Sequence, residues 1–179
     1  EQQAIFDMAR DFGAEHIAPH SRDWERAGTI PKELWPQIAQ LGFGGLYVSE
    51  DYGGSGLTRL DATLVFEELA AVDPSTTAFI TIHNMATWML SRWGGERLRG
   101  EWAAAMASGD KLGSYCLTEP GSGSDAASLK TRAVRDGDHY VIDTRYDAGS
   151  YTYDRDGVGT RYAMIGVRTL VDPEDPADV

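Results

Sequence analysis

The residues best suited to chemistry form one short run, Thr118-Glu119-Pro120-Gly121-Ser122-Gly123-Ser124-Asp125, directly after the apolar stretch Tyr115-Cys116-Leu117. Glycines let backbone approach a ligand closely, and successive exposed amides beside serine hydroxyls form a concavity suited to a diphosphate. From the residues alone the run is either a loop for a phosphate-bearing ligand or an ordinary polar loop at a domain boundary. Gly121-Ser122-Gly123-Ser124-Asp125-Ala126 also fits G-x-G-x-x-A, with Asp143 seventeen residues beyond Ala126. A dinucleotide fold would need a crossover helix in that gap, and the gap holds a hairpin signal instead. Neither Ser-Gly cluster is a nucleophile elbow. Gly53-Gly54-Ser55-Gly56-Leu57 has Leu where the closing glycine belongs, and the positions flanking Ser122 are also wrong. His16 and His20 have the spacing of a metal pair, but Pro19 intervenes and no HExxH pattern surrounds them, so surface histidines and no metal site are expected. His83-Asn84 lies in a very apolar stretch, where a base or ligand is conceivable and a hydrogen-bonded core histidine is expected. Tyr151 and Tyr153 alternate with polar residues and have no basic surroundings to make a nucleic-acid stacking platform.

Positioning these groups falls to elements that the apolar spacing outlines. Ile5, Met8, Ala9, Phe12 and Ile17 recur as one stripe of a helix over residues 2–17 that Pro19 ends. A short helix after Pro31 carries Leu34, Ile38 and Leu41 inward and stops at Gly42, Gly44 and Gly45. Leu46-Tyr47-Val48 then leads into the glycine-rich turn 51–56. Thr58 and Asp61 form a capping-box pair, followed by a stripe of Leu60, Leu64, Leu69 and Val72. Asp73-Pro74 reads as N-cap and first residue of a helix reaching Trp93, largely apolar from Ala78 to Leu90. Gly94-Gly95 breaks it, and residues 96–107 form another helix through Leu98, Trp102, Ala105 and Met106. After Gly109 the pattern changes to strands at 111–117, 129–134, 139–142 and 161–170, with a turn at Arg135-Asp136-Gly137-Asp138. The polar stretch 144–160 reads as loop.

Composition excludes several classes. The chain has 179 residues, with 16 Lys+Arg against 28 Asp+Glu, a formal net charge of −12. A nucleic-acid backbone or an anionic membrane would be repelled before contact, so neither is an expected partner. The single cysteine, Cys116, rules out an intrachain disulfide and zinc sites built on several cysteines. No apolar run approaches the roughly 20 residues that a bilayer demands. Glu1-Gln2-Gln3 lacks the basic and apolar regions of a signal peptide, so a soluble, cytosolic protein is expected. The start without Met and the end just after Pro173-Glu174-Asp175-Pro176 read as cuts.

The run Cys116-Leu117-Thr118-Glu119-Pro120-Gly121-Ser122-Gly123-Ser124-Asp125-Ala126-Ala127-Ser128 resembles the signature of the acyl-CoA dehydrogenase family, with every constrained position filled. Leu41-Gly42-Phe43, Tyr52-Gly53-Gly54-Ser55-Gly56-Leu57, Glu67-Glu68-Leu69-Ala70 and Gly109 before its strand agree in order and spacing. Ser75-Thr76-Thr77-Ala78 and His83-Asn84-Met85 are most similar to the short branched-chain members. The resemblance covers residues 1 to about 142. It implies an α+β protein: a helical N-terminal domain, 1–109, then the start of a β-barrel-like middle domain, 110–179, with a C-terminal helical domain absent. It implies FAD between these domains and, usually, a homotetramer. Backbone around Tyr115, Cys116, Leu117 and Thr118 would meet the flavin ring, with the Thr118 hydroxyl on its pyrimidine edge. Gly123 and Ser124 would hold the FAD diphosphate, and Ser124 would also face the acyl-CoA. The implied reaction is α,β-dehydrogenation of a short branched-chain acyl-CoA to the 2-enoyl-CoA, with electrons passed to an electron-transferring flavoprotein, in a bacterial cytoplasm or a mitochondrial matrix. The catalytic base would lie in the absent domain, and Glu119 is not promoted to that role. An acyl-CoA oxidase or flavin monooxygenase shares the same cradle, and a non-catalytic binding fragment is the reading from a different class. One stretch departs from the family: Asp143-Thr144-Arg145-Tyr146-Asp147-Ala148-Gly149-Ser150 lacks the aromatic that members place against the flavin, and it receives no flavin role.

Overall fold

The computed structural model describes residues 2–115, 117–119, 121–137, 139–143 and 162–164. Helix α1, Gln2–Phe12, continues into a π-helical turn at Gly13–Ile17, and Ala9 and Ile17 are sealed from solvent. Helix α2, Ser21–Ala27, ends at Gly28, whose φ of 67° is left-handed. No periodicity announces α2 because none of its residues is fully buried and only Trp24 leans on the core. Helix α3, Leu34–Gln40, buries Leu34, Trp35 and Ile38. The irregular stretch that follows folds back on itself: the amides of Ser55, Gly56 and Leu57 donate to the carbonyls of Gly45, Val48 and Leu46 at 2.9, 2.9 and 2.8 Å.

Helix α4, Arg59–Val72, begins with the expected capping box, Thr58 and Asp61 exchanging side-chain-to-backbone bonds. Its inward face keeps the expected Leu69 and Val72 and is corrected at Leu60. Ala62, Val65 and Leu69 are buried, while Leu60 is 64% exposed. At 3.6 residues per turn Leu60 lies half a turn from those three, and a helix apolar on several sides does not reveal which side faces the core. Helix α5, Pro74–Trp93, is capped by Asp73, whose carboxylate accepts from the amides of Ser75 at 3.2 Å and Thr76 at 3.4 Å. Helix α6, Glu96–Leu98, passes through a π-helical turn, Arg99–Ala103, into α7, Ala104–Ala107. That wide turn shifts the helical phase, so Ala103, Met106 and Ala107 are buried and Leu98, expected inward, is exposed.

The core lies between α1, α3, α4 and α5, with Phe12, Trp35, Phe43, Leu46, Val65, Leu69 and Ile80 at its centre. Gly109, at φ 83°, turns the chain out of the helices. Strand β1, Leu112–Ser114, is shorter than expected. Strands β2, Arg132–Asp136, and β3, His139–Asp143, form an antiparallel hairpin with Val134 opposite Val141. Strand β4, Tyr162–Met164, pairs parallel with β1, Gly113 opposite Ala163. Among the described residues the strands thus form two separate two-stranded ladders. The expected loop 144–160, and the expected strand 161–170 apart from β4, lie outside the described residues.

Candidate functional site

The run after β1 folds as a tight turn. Glu119 and Ser122 exchange main-chain hydrogen bonds, N–H to carbonyl at 2.9 and 3.0 Å, so Thr118 and Gly123 leave the turn side by side. The Ser122 hydroxyl donates to the Asp125 carbonyl and the Ser128 hydroxyl to the Asp125 carboxylate. These bonds turn Ser122, Asp125 and Ser128 toward one another and leave Gly121, Gly123 and Ser124 on the exposed edge. A Cβ added at Gly121 or Gly123 would meet no described atom within 4 Å. Tyr115 and Leu117 are half-buried and Thr118 is exposed; Cys116 lies outside the described residues. The geometry therefore offers a half-buried strand end and, beside it, an open glycine edge bearing two hydroxyls, Thr118 and Ser124. Such an edge can receive a phosphate-bearing group without displacing a described atom, which is what the diphosphate of a flavin dinucleotide would need there.

Glu119 is buried beneath this edge, and its carboxylate accepts the amides of Lys130 at 2.7 Å and Thr131 at 2.8 Å. Hydrogen bonding from Thr131 and the Lys130 amide holds the carboxyl below its ordinary range. A carboxylate with both oxygens satisfied by donors is a poor proton acceptor, so Glu119 acts as a staple joining the turn to the start of β2. Sequence reasoning saw the residue but not this role, because main-chain amides eleven and twelve positions away leave no mark in the side-chain pattern.

A second polar set ties the helices to β1. Asn84, fully buried, accepts the Leu46 amide at 2.7 Å and donates to the carbonyls of Phe43 at 2.7 Å and Ile80 at 3.0 Å. Neighbouring His83 is the expected hydrogen-bonded core histidine. Burial pushes its pKa down to about 4, only partly offset by the Met106 carbonyl. His16 and His20 stack on Phe12 and Trp24 at 4.9 and 5.6 Å, and among the described residues no three metal-ligating side chains converge. Arg59 lies between two aromatic rings, its guanidinium 3.9 Å from the Tyr47 ring centre and 4.3 Å from that of Trp88.

Comparison with known proteins gives these observations a context. Residues 1–110 match the family model described as acyl-CoA dehydrogenase, N-terminal domain. The chain is 44% identical over 169 residues to the mitochondrial isobutyryl-CoA dehydrogenase of Dictyostelium discoideum, covering 94% of this chain and 39% of that protein. Against the mitochondrial isobutyryl-CoA dehydrogenase of Bos taurus it is 48% identical over 142 residues, covering 79% of this chain and 34% of that protein. A glutaryl-CoA dehydrogenase from Mycobacterium smegmatis, solved in complex with FADH2, superposes with a TM-score of 0.75 at 30% identity over 79% of this chain and 36% of that one. The chain thus spans between 34% and 39% of the length of these relatives.

Proposed function

The chain belongs to the acyl-CoA dehydrogenase family, and from that premise we propose that it forms one wall of the FAD site of an enzyme that dehydrogenates a short branched-chain acyl-CoA, isobutyryl-CoA foremost. The observation that carries the reading is the open glycine edge, Gly121 and Gly123 with exposed Ser124, beside Thr118, four residues past the end of β1. The names of the two isobutyryl-CoA dehydrogenases and of the FADH2 complex support the choice of substrate and cofactor.

In this reading backbone at Tyr115, Cys116 and Leu117 lies along the flavin ring and the Thr118 hydroxyl meets its pyrimidine edge. The amides and hydroxyl at Gly123 and Ser124 take the diphosphate, and Ser124 also borders the acyl-CoA. FAD, when bound, supplies the acceptor for the β-hydrogen as hydride. The protein residues named here orient that acceptor and keep water from it; the base for the α-proton is placed in the C-terminal part of the whole protein, since Glu119 is committed to amides. The residues from 110 onward are read as the start of a β-barrel-like middle domain, with 1–109 as the helical one. The electron acceptor is an electron-transferring flavoprotein, the assembly a homotetramer, and the compartment a bacterial cytoplasm or a mitochondrial matrix.

The test is anaerobic mixing with isobutyryl-CoA, followed at the flavin absorption band. The natural full-length protein is expected to be yellow and to bleach with substrate. The 179-residue chain given excess FAD is expected not to bleach, because positioning and a desolvated base supply most of the barrier reduction. A full-length protein that binds no FAD overturns the proposal. Bleaching by the chain alone would place a base within residues 1–179.

A further inference from the structure

His83 sits midway along α5 with its side chain sealed from solvent, and its ring joins three elements. Nδ1 accepts the Gly113 amide proton at 3.0 Å, so the ring proton must reside on Nε2, which donates to the Met106 carbonyl at 3.0 Å. Trp35 packs edge-on to the ring with centres 4.5 Å apart, fixing its plane. Gly113 is pressed against the helices: a Cβ there would overlap the Met106 methyl and stand 3.2 Å from the Ala86 side chain. β1 therefore touches α5 where a side chain is least tolerable, and one ring nitrogen takes its amide.

The strand that is held this way leads straight into the candidate site. Tyr115 follows Gly113 by two residues and Thr118 by five. β1 has only three residues, and so does its described partner β4, so the ladder offers few bonds to fix its position. A one-residue slip would turn every side chain of the segment to the opposite face. We propose that His83 is a positioning residue: its ring holds β1, and with it the segment from Tyr115 to Thr118, at a fixed place against the helices and thereby sets where the flavin edge is met. The last clause rests on the flavin reading above. The first does not.

Three substitutions separate the two ring nitrogens. His83→Asn puts an acceptor near the position of Nδ1 and loses the bond to Met106. His83→Gln reaches the Met106 carbonyl as a donor and leaves the Gly113 amide without its acceptor. His83→Leu loses both. In the natural full-length protein, hydrogen exchange at the Gly113 amide and FAD titration are read side by side, with far-UV circular dichroism as the check on folding. The Asn variant is expected to keep Gly113 protected and to bind FAD within about twofold of wild type. The Gln and Leu variants are expected to lose at least tenfold in protection and about tenfold in FAD affinity, the share of one buried hydrogen bond, and to shift the visible flavin band. Gln behaving like Asn in both readouts overturns the assignment, and loss of protection with unchanged flavin affinity and spectrum reduces His83 to a core contact. If the Leu variant does not fold, the contrast between Asn and Gln decides. Wild-type protein that takes up no FAD fails the flavin reading, and the exchange contrast then decides by itself whether His83 holds β1.

Discussion

Around Gly44, Gly45 and Gly54 the protein leaves no room for a side chain, whereas around Gly121 and Gly123 the described residues leave open space. A Cβ at Gly44 would stand 2.6 Å from the Ala107 carbonyl oxygen, one at Gly45 2.9 Å from the Ala107 side chain, and one at Gly54 would overlap the Val48 carbonyl. At Gly121 and Gly123 no described atom comes within 4 Å, and neither has a positive φ. Glycine is required in the first set by the protein's own packing. In the second set the described residues supply no such requirement, and under the proposed flavin reading a ligand that must come close to the backbone would supply one. The helical region is thus packed against itself, while the proposed flavin reading gives the turn after β1 its contact with a ligand. Substitutions in the first region should register as folding free energy, and in the second as binding free energy with the fold intact.

The largest effect is expected at Asn84. Replacing it by Leu keeps the volume roughly constant but strands the Leu46 amide and the Phe43 carbonyl in the core. Each orphaned buried group costs about 1–3 kcal/mol, so a loss on the order of 3–5 kcal/mol is expected in urea denaturation. A loss below about 1 kcal/mol would mean that the stretch around Phe43 to Leu46 is not held by this side chain.

Next in size is a pH dependence carried by His83. The unfolded imidazole binds a proton below about pH 6.5, while the folded ring stays neutral down to about 4. Between those values the unfolded state holds more protons, so stability is fully present above pH 6.5 and falls as the pH drops toward 4. The loss is on the order of 3 kcal/mol across that window. Subtracting the profile of His83→Asn from that of wild type isolates the imidazole from the carboxylates that titrate nearby in pH. A difference that is flat across the window would show that the buried ring does not stay neutral.

The same contrast explains what could be read in advance. The caps of α4 and α5 were legible because Thr58 with Asp61, and Asp73 with Pro74, complete their bonding within three residues. The hairpin turn at Gly137 was legible for the same reason. Helix α2 was not, since a helix that buries no residue fully shows no stripe. The π-helical turns at 13–17 and 99–103 leave no mark in the apolar spacing, and the second turns Leu98 outward. Asn84 bonds to residues 38 and 41 positions away, so its clamp exists only after folding. The glycine-serine turn was legible as a candidate ligand loop, but the amide bonds of Glu119 that anchor it were not.

Thr118→Val moves the comparison to the site. The side chain is exposed, so folding stability should change by less than about 0.5 kcal/mol. If the hydroxyl meets the flavin in a buried complex, FAD binding should weaken by about 1–3 kcal/mol and the absorption band should shift. Unchanged affinity and spectrum would remove Thr118 from the flavin edge.

The sharpest separation of the two regions is expected from Gly123→Ala set against Gly54→Ala. The added methyl is the same, and only its surroundings differ. At Gly54 it would overlap the Val48 carbonyl, in a turn whose amides are bonded to Gly45, Val48 and Leu46, so the backbone must move and stability must fall. At Gly123 the methyl would meet no described atom, with φ outside the left-handed region, so restricting the unfolded chain should stabilise the protein by about 0.4–1 kcal/mol. That same open space is where a diphosphate would have to approach the amides, so FAD affinity should fall by about tenfold, or roughly 1.4 kcal/mol. Thermal denaturation without ligand and FAD titration, run on both variants, give the two numbers. If Gly123→Ala destabilises as Gly54→Ala does, the turn is constrained by its own packing and the contrast between the regions fails. If it folds well and binds FAD as wild type does, the contrast stands and the diphosphate lies elsewhere.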